Sequence, residues 1–213
     1  MFHFPSWTLT VRDMSGALLL VAPLYIVGVV AFGASPKTTD VGYMPEQPIP
    51  FSHALHAGEL GMDCRYCHTT VEKAAHAAVP PSATCMNCHA GIRTESPLLT
   101  LLRDTYEKGE PIAWQRVHDL PDYAYFDHSA HVTRGIGCAS CHGRVDKMER
   151  VWQHEALSMG WCLDCHRNPE DHLRPLDQIT NMAWAPDNQR EIGLAIKEQL
   201  NIVPSQNCST CHR

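Results

Sequence analysis

One long apolar run near the N-terminus is the strongest feature of the hydrophobic pattern. The segment from Met14 to Pro36 contains no charged residue. As a helix it spans roughly 35 Å, enough to cross a hydrocarbon core of about 30 Å. Pro23 lies inside it, which membrane helices tolerate better than soluble ones. Ala31-Phe32-Gly33 is similar to a signal-peptide cleavage site. Because the chain begins at Met1 and retains the segment, we expect an uncleaved single-pass anchor over residues 1–36.

Two shorter stripes predict helices in the rest of the chain. The first begins at Ser96-Pro97 and stops at Gly109. Its apolar face comprises Leu98, Leu99, Leu102 and Tyr106. In the second stripe, which we expect Asp187 to cap, the apolar residues recur four apart at Ile192, Ile196 and Leu200. Both stripes are expected to pack against the protein body. Residues 37–50 contain clustered prolines and predict a linker, and no alternating strand pattern of useful length is present.

Charge and composition narrow the possible functions. The 213 residues include 23 acidic and 17 basic side chains, a formal net charge of −6. Nucleic-acid binding depends on a basic face that displaces phosphate counterions, so we predict no nucleic-acid partner. The chain also has 10 cysteines and 14 histidines, residues that serve disulfides, metal sites or haem attachment.

The spacing of the cysteines selects among these uses. They form five CxxCH motifs, of which fewer than about one is expected by chance in this composition. In c-type haem attachment the two thiols bond to the haem and the adjacent histidine ligates the iron. Zinc would need four ligands from paired motifs, and disulfides would not need the histidines. We therefore predict five haems c. The attachment cysteines are Cys64, Cys67, Cys85, Cys88, Cys138, Cys141, Cys162, Cys165, Cys208 and Cys211, and the proximal ligands are His68, His89, His142, His166 and His212.

Haem attachment also predicts the compartment and the architecture. Because c-type cytochromes mature outside the cytoplasm, we expect an inner-membrane chain with a cytoplasmic N-terminus and a periplasmic domain over residues 51–213. At about 35 residues per haem, the domain is too sparse for a conventional apolar core. We expect an all-α, loop-rich fold in which the haems replace that core. Two dihaem units would cover about 51–110 and 120–175, with a C-terminal haem over 176–213.

An internal duplication supplies candidates for the distal ligands. Phe51-Ser-His53-Ala-Leu-His56 precedes the first two CxxCH motifs, and Phe126-Asp-His128-Ser-Ala-His131 precedes the next two. Histidines three apart on a helical turn point in similar directions, so each can reach a different neighbouring haem. We predict that these four histidines are distal ligands.

The repeated unit resembles the trihaem cytochrome c7 and tetrahaem cytochrome c3 group. The resemblance implies two c7-like dihaem units followed by the fifth haem. In that group the first histidine of each pair ligates the haem just after it and the second ligates a later haem. Carried over to this sequence, the resemblance pairs His53 with His68, His56 with His89, His128 with His142 and His131 with His166.

Longer stretches resemble the pentahaem subunit of bacterial alternative complex III. These stretches are residues 51–67, 79–89, 117–128, 141–148 and 159–169. The resemblance implies an electron-transfer subunit of a membrane-bound quinol:electron-acceptor oxidoreductase, not catalytic alone. It implies an iron–sulfur subunit, integral-membrane subunits and a monohaem cytochrome as partners.

The fifth iron, on His212, has no spacing argument for its sixth ligand. The candidates are His172, His76, His118, His154, Met148 and Met159. We favour His172, then Met148, because both follow closely on a CxxCH turn. Two other functions remain open. One is a stand-alone membrane-anchored carrier. The other is a multihaem small-molecule reductase, which requires an open iron with acid–base groups nearby; the surplus of histidines argues against it.

Overall fold

The computed structural model describes residues 3–33 and 40–212, and the chain divides into two units, Met1–Val41 and Gly42–Arg213. The first unit contains one helix, α1, over Trp7–Gly33. Of the described helices, α1 is long and apolar enough to cross a membrane, with an 18-residue window of mean hydropathy 2.3. It begins before the apolar run and includes the ion pair of Arg12 with Asp13 at 3.2 Å. The end of the predicted anchor, residues 34–36, lies outside the described residues.

The second unit is built from short helices and loops, which confirms the predicted fold class. Its helices are α2 (Cys64–Cys67), α3 (Ser82–His89), α4 (Thr100–Lys108), α5 (His128–Val132), α6 (Ala139–His142), α7 (Met159–Arg167), α8 (Gln189–Gln199) and α9 (Cys208–Cys211). A π-helical turn covers Ala54–Glu59, and 3₁₀ turns cover Pro97–Leu99, Val145–Lys147, Pro169–Asp171 and Leu176–Gln178. The described residues form no strand, only the isolated bridges Ala124–His212 and Ile136–Leu173.

The two apolar stripes behave differently at their ends. The first forms the 3₁₀ turn after Ser96 and continues as α4, which stops at Gly109 in the left-handed region with φ 67°, as predicted. The second forms α8, but Asn188 rather than Asp187 stands at its N-cap, and no side chain caps the helix. The prediction for Asp187 was wrong by one residue, and the first residues of α8 are held by tertiary contacts instead of a side-chain cap.

Those contacts join α8 to the turn Pro169–Asp171. Glu170 is buried there and accepts hydrogen bonds from Arg190 and Lys197, at 3.0 and 2.9 Å. A side chain at Gly193 would clash with the backbone carbonyl of Glu170. The absence of a side chain at Gly193 therefore allows α8 to approach this turn closely.

The hydrophobic core of the described residues is small. Its buried apolar side chains are Ile49, Leu102, Val132, Met148, Leu173, Ile179 and Ile202. Part of the predicted linker packs on the body of the second unit: Gly42 donates to the Gln153 carbonyl at 2.8 Å, and Gln47 exchanges two hydrogen bonds with the backbone of Gln115. So few buried apolar groups in a unit of this size agree with a domain whose interior is completed by a bound group.

Candidate haem sites

Each CxxCH motif folds as a helical turn, and we number the motifs sites 1 to 5 in chain order. In site 1, for example, the His68 N–H donates to the Cys64 carbonyl at 2.9 Å, as His212 does to Cys208 at 2.8 Å in site 5. Residues three apart on a helical turn lie on the same face. Each motif therefore presents two thiols together, with the histidine next to them. All ten cysteines are free thiols, so every pair can form the two thioether bonds of haem c.

Local caps begin two of these turns. The Asp63 carboxylate accepts the Arg65 N–H at 2.8 Å at the start of α2, and the Ser158 hydroxyl accepts the Trp161 N–H at 3.3 Å at the start of α7. The Arg65 side chain returns to Asp63, and its hydrogen bond is the main reason why the pKa of Asp63 falls to about 2. The charged form of Asp63 thus holds the first turn of site 1.

The two F-x-H-x-x-H motifs adopt matching aromatic geometry. Phe51 lies edge-on to His53 with ring centres 4.8 Å apart and stacks on His56 at 4.4 Å. In the second motif, Phe126 lies edge-on to His128 at 4.8 Å, and its ring centre is 4.5 Å from that of His131. In each motif the phenylalanine ring therefore packs against both imidazoles.

Backbone carbonyls orient most of the candidate ligands. Seven of them donate from Nδ1 to a carbonyl oxygen at 2.6–3.1 Å: His56 to Ser52, His68 to Ala78, His89 to Ile92, His128 to Ala75, His131 to Asp127, His166 to Ser205 and His212 to Tyr123. A proton on Nδ1 leaves the Nε2 lone pair free. Hydrogen bonds of this kind fix the tautomer and ring direction of metal-ligating histidines.

Three predicted ligand pairs have ring centres at a common separation. The distances are 6.3 Å for His56–His89, 6.4 Å for His128–His142 and 6.1 Å for His131–His166. A metal–imidazole bond of about 2.0–2.1 Å puts two rings on opposite sides of one metal with centres about 6.2–6.4 Å apart. The observed separations fit an iron between each pair.

His53 and His142 are the histidines whose pKa falls furthest. Burial lowers the pKa of His53 to about 4, helped by the neighbouring His68, and lowers the pKa of His142 to about 3, helped by His118. Both are therefore neutral at neutral pH, the form that binds metals. His53 Nδ1 is buried without a hydrogen-bond partner among the described residues, unlike its counterpart His128.

The cysteines show which sites are neighbours. Sites 1 and 2 are neighbours. The pKa of Cys67 is raised first by burial and then by the nearby Cys85 thiol, and Asn87 donates to the Tyr66 hydroxyl at 3.1 Å. Sites 1 and 3 also adjoin. The Cys64 and Cys138 thiols interact directly, and this contact is the main reason why the pKa of Cys64 falls and that of Cys138 rises.

The remaining sites continue from site 3. Burial, then the thiols of Cys165 and Cys162, raise the pKa of Cys141 to about 12, so sites 3 and 4 adjoin. Burial and then Cys211 raise the pKa of Cys162, so sites 4 and 5 adjoin. These contacts link the sites in the order 2–1–3–4–5, which we call the site row.

The ends of the site row are the most open to solvent. Of the ten cysteines, Cys88 in site 2 and Cys208 in site 5 are exposed. Site 5 is fixed to the segment before the second F-x-H-x-x-H motif, since the Tyr125 N–H donates to the Cys211 carbonyl at 2.6 Å and the His212 ring centre lies 5.9 Å from that of Tyr123.

The candidates for the sixth ligand of site 5 are dispersed. His118 contacts His142 of site 3, and His154 contacts Trp152 with ring centres 5.1 Å apart. Met148 is buried and its carbonyl accepts the Ala54 N–H at 3.0 Å. His172 is half-buried after the turn Pro169–Asp171. The assignment of His172 or Met148 stays a prediction.

Sequence reasoning missed Arg174, which lies beside site 3. The side chain is buried and Nη1 donates to the Asn181 carbonyl at 3.0 Å, while Nε has no partner among the described residues. A side chain at Gly137 would clash with the Arg174 guanidinium group, which therefore lies directly against the start of site 3. A buried cation with a free donor suits a carboxylate such as a haem propionate. A single arginine outside any motif gives no signal in the sequence.

Together these features fit haem c better than the alternatives. Free thiol pairs match the vinyl groups of haem c, imidazoles with open Nε2 atoms match its iron, and an unpaired buried guanidinium donor matches its propionates. Zinc needs four converging ligands, and in the described part of the chain no three His, Cys, Asp or Glu side chains are arranged to hold a metal ion.

Comparison with known proteins agrees with this geometry. The model of the family "Cytochrome c7 and related cytochrome c" matches residues 49–105 and 124–213, which is more than half of the chain. The chain is also similar to the menaquinone reductase multiheme cytochrome c subunit of Nitratidesulfovibrio vulgaris (strain Hildenborough). The two are 30% identical over 175 residues, which cover 71% of this chain and 83% of the relative.

Proposed function

Because this chain belongs to the family of cytochrome c7 and related cytochromes c, and so is a multihaem electron-transfer protein, we propose that it carries five haems c and relays electrons for a membrane-bound quinol:acceptor oxidoreductase. The single observation that carries the relay proposal is the site row, in which each CxxCH motif adjoins the next. Haem c supplies one-electron redox chemistry when attached.

The protein's part in this function is to hold and orient. In the proposal, the five CxxCH motifs attach the haems, and four irons are bis-histidine: His53 with His68, His56 with His89, His128 with His142 and His131 with His166. The ring separations of 6.1–6.4 Å support three of these pairs. For His53 with His68 the support is weaker and consists of their electrostatic interaction. Irons with two protein ligands have no open position for a substrate, which favours a relay over a reductase.

The exposed ends of the site row are the proposed entry and exit points. Cys88 and Cys208 are open to solvent in sites 2 and 5, whereas burial is the largest cause of the lowered pKa of His142 in site 3. A partner can therefore approach an end more closely than the middle. We propose that one end contacts the quinone-linked subunits and that the other contacts the electron acceptor or donor.

The proposed setting is the inner membrane. The helix α1 would anchor the chain, with residues 51–213 in the periplasm and the N-terminus in the cytoplasm. The partners we propose are those of an alternative complex III: an iron–sulfur subunit, integral-membrane subunits and a monohaem cytochrome. A second candidate is a quinone-reducing complex, favoured by the name of the relative, a menaquinone reductase subunit. Both candidates place the chain beside a quinone-linked enzyme.

Two measurements on purified material test the proposal. The denatured mature chain should have the apo mass plus five haems and no reactive thiol; four haems or fewer would refute the count. The intact complex should reduce these haems when a quinol analogue is added, while the isolated chain should not. The quinone-reducing candidate would be favoured if the haems of the intact complex stay oxidised when quinol is added, and if a menaquinone analogue reoxidises them after chemical reduction.

A further inference from the structure

His142 of site 3 is oriented by a side chain, not by a backbone carbonyl. Its Nδ1 lies 3.4 Å from Nε2 of His118, with ring centres 4.4 Å apart and planes at 85°. The other four CxxCH histidines donate from Nδ1 to carbonyl oxygens. Site 3 is therefore the one described CxxCH site in which a replaceable group contacts the far nitrogen of the proximal histidine.

The direction of this hydrogen bond follows from the need to free one nitrogen of His142. If Nε2 of His142 binds iron, its proton is on Nδ1, and Nδ1–H donates to the Nε2 lone pair of His118. His118 then carries its own proton on Nδ1. This arrangement leaves the Nε2 lone pair of His118 free to accept, and the part-buried contact of the two rings places that lone pair at His142 Nδ1.

The same geometry separates His118 from the iron ligands. Its Nε2 is directed at His142 Nδ1, on the side of that ring away from the ligating nitrogen. The nearly parallel partner at 6.4 Å, with an interplanar angle of 6°, is His128. In this pair His128 and His142 are suited to bind the iron, and His118 is suited to support one of them.

We propose that His118 is a positioning residue that lowers the reduction potential of the haem at site 3 through its hydrogen bond with His142. The proposal rests on the proposed ligation of that iron by His128 and His142. An acceptor on the far nitrogen makes the ligating imidazole more basic, and a more basic ligand stabilises the oxidised iron more than the reduced iron.

The acceptor at site 3 is a side chain, whereas the acceptors at the other CxxCH sites are backbone carbonyls. A carbonyl acceptor belongs to the backbone and cannot be altered by substitution, whereas an imidazole acceptor can be removed or replaced singly. Site 3 lies in the middle of the site row, between sites 1 and 4. A change in the reduction potential of the haem at site 3 therefore alters the electron occupancy of the middle of the site row and leaves the haems at sites 2 and 5 unchanged.

The test compares His118→Leu with His118→Gln in the full haem-loaded chain. Leucine removes the acceptor, whereas the glutamine carboxamide oxygen can still accept. Potentials are measured by spectroelectrochemical titration at a fixed pH at which free histidine is neutral. Low-spin EPR identifies the haem, because parallel imidazoles, as in His128–His142, give a rhombic signal unlike that of strongly crossed rings.

We expect His118→Leu to raise the potential of that one haem and His118→Gln to stay near wild type. One hydrogen bond corresponds to up to about a tenfold change in the oxidised-to-reduced ratio, which is about 59 mV for a one-electron couple. Unchanged potentials in His118→Leu, or equal shifts in the leucine and glutamine variants, would overturn the role of His118, since equal shifts indicate packing alone. If His118→Leu does not assemble, His118→Ala replaces it with the same expectation.

The outcome for the wild type separates this inference from the ligand assignment. A rhombic low-spin signal in the wild-type chain supports ligation by His128 and His142, and the variants then decide the role of His118. Absence of that signal in the wild-type chain would refute the ligation, and the inference with it.

Discussion

Replacement of His131 with alanine is predicted to open one iron and leave the others closed. The His131 ring centre lies 6.1 Å from that of His166, a separation that fits two ligands on one metal. His131 Nδ1 donates to the Asp127 carbonyl at 2.7 Å, which orients Nε2. An alanine methyl group is too short to reach the position of Nε2, so His166 would be the only protein ligand left on that iron.

The magnitude follows from this count of ligands. One iron per chain should become high-spin and bind one carbon monoxide after reduction, a fifth of the haem if five are attached. The wild-type chain should bind little carbon monoxide, because the proposed pairs fill the sixth positions of four irons and His172 or Met148 is predicted to fill that of the fifth. Carbon monoxide titration followed in the Soret band, with magnetic circular dichroism for the spin state, measures both quantities on the haem-loaded chain.

His154→Ala provides the matched control. His154 is half-exposed, contacts Trp152 and lies 3.6 Å from the Glu155 carboxylate, so its loss should leave all irons as they are. A His131→Ala chain that loads all its haems and still binds no carbon monoxide would refute the pairing with His166. Binding of carbon monoxide by His154→Ala would instead identify His154 as a ligand.

Two further predictions concern the packing of α8. Gly193→Ala should destabilise the fold by about 1–3 kcal/mol, because the methyl group clashes with the Glu170 carbonyl. The control is Gly160→Ala, since a Cβ atom at Gly160 would have its nearest neighbour at 4.0 Å. This substitution should be neutral or stabilising by up to about 1 kcal/mol. Thermal melting followed by circular dichroism distinguishes them, and equal melting temperatures would contradict the clash. Glu170→Gln should lower the melting temperature at neutral pH, since its hydrogen bond with Lys197 is the main cause that lowers the pKa of Glu170. A carboxylate with a lowered pKa stabilises the fold above its unfolded value and loses that effect as the pH falls through the folded value. The gap to wild type should therefore close on acidification, and a gap independent of pH, or one equally large in the exposed Glu191→Gln, would refute the electrostatic account.

The sequence predicts those features that depend on local spacing. CxxCH requires only one helical turn to bring two thiols and a histidine together, so the motif and its conformation coincide. Gly109 ends α4 as expected, because a left-handed residue suits glycine at any helix end. The start of α8 was missed by one residue, since Asp187 and Asn188 are equally good caps by type and neither side chain in fact caps the helix.

Contacts between distant segments could not be predicted in this way. His118 precedes His142 by 24 residues and belongs to no repeat, so its position beside site 3 has no signal in the spacing. The order of the site row likewise depends on a contact between distant segments. Chain order would put site 2 next to site 3, but the direct contact of Cys64 with Cys138 brings sites 1 and 3 together instead.

The duplication explains why the site row has this order. The two repeats meet through their first sites: besides the contact between Cys64 and Cys138, the loop after site 1 provides the Ala75 carbonyl that receives both the backbone N–H and Nδ1–H of His128. With the first sites joined, site 2 forms one end of the site row, and site 5 extends the second repeat beyond site 4. The segment after residue 175 has no counterpart in the first repeat and carries site 5, so one end of the site row is the second site of a repeat and the other end is a site outside both repeats.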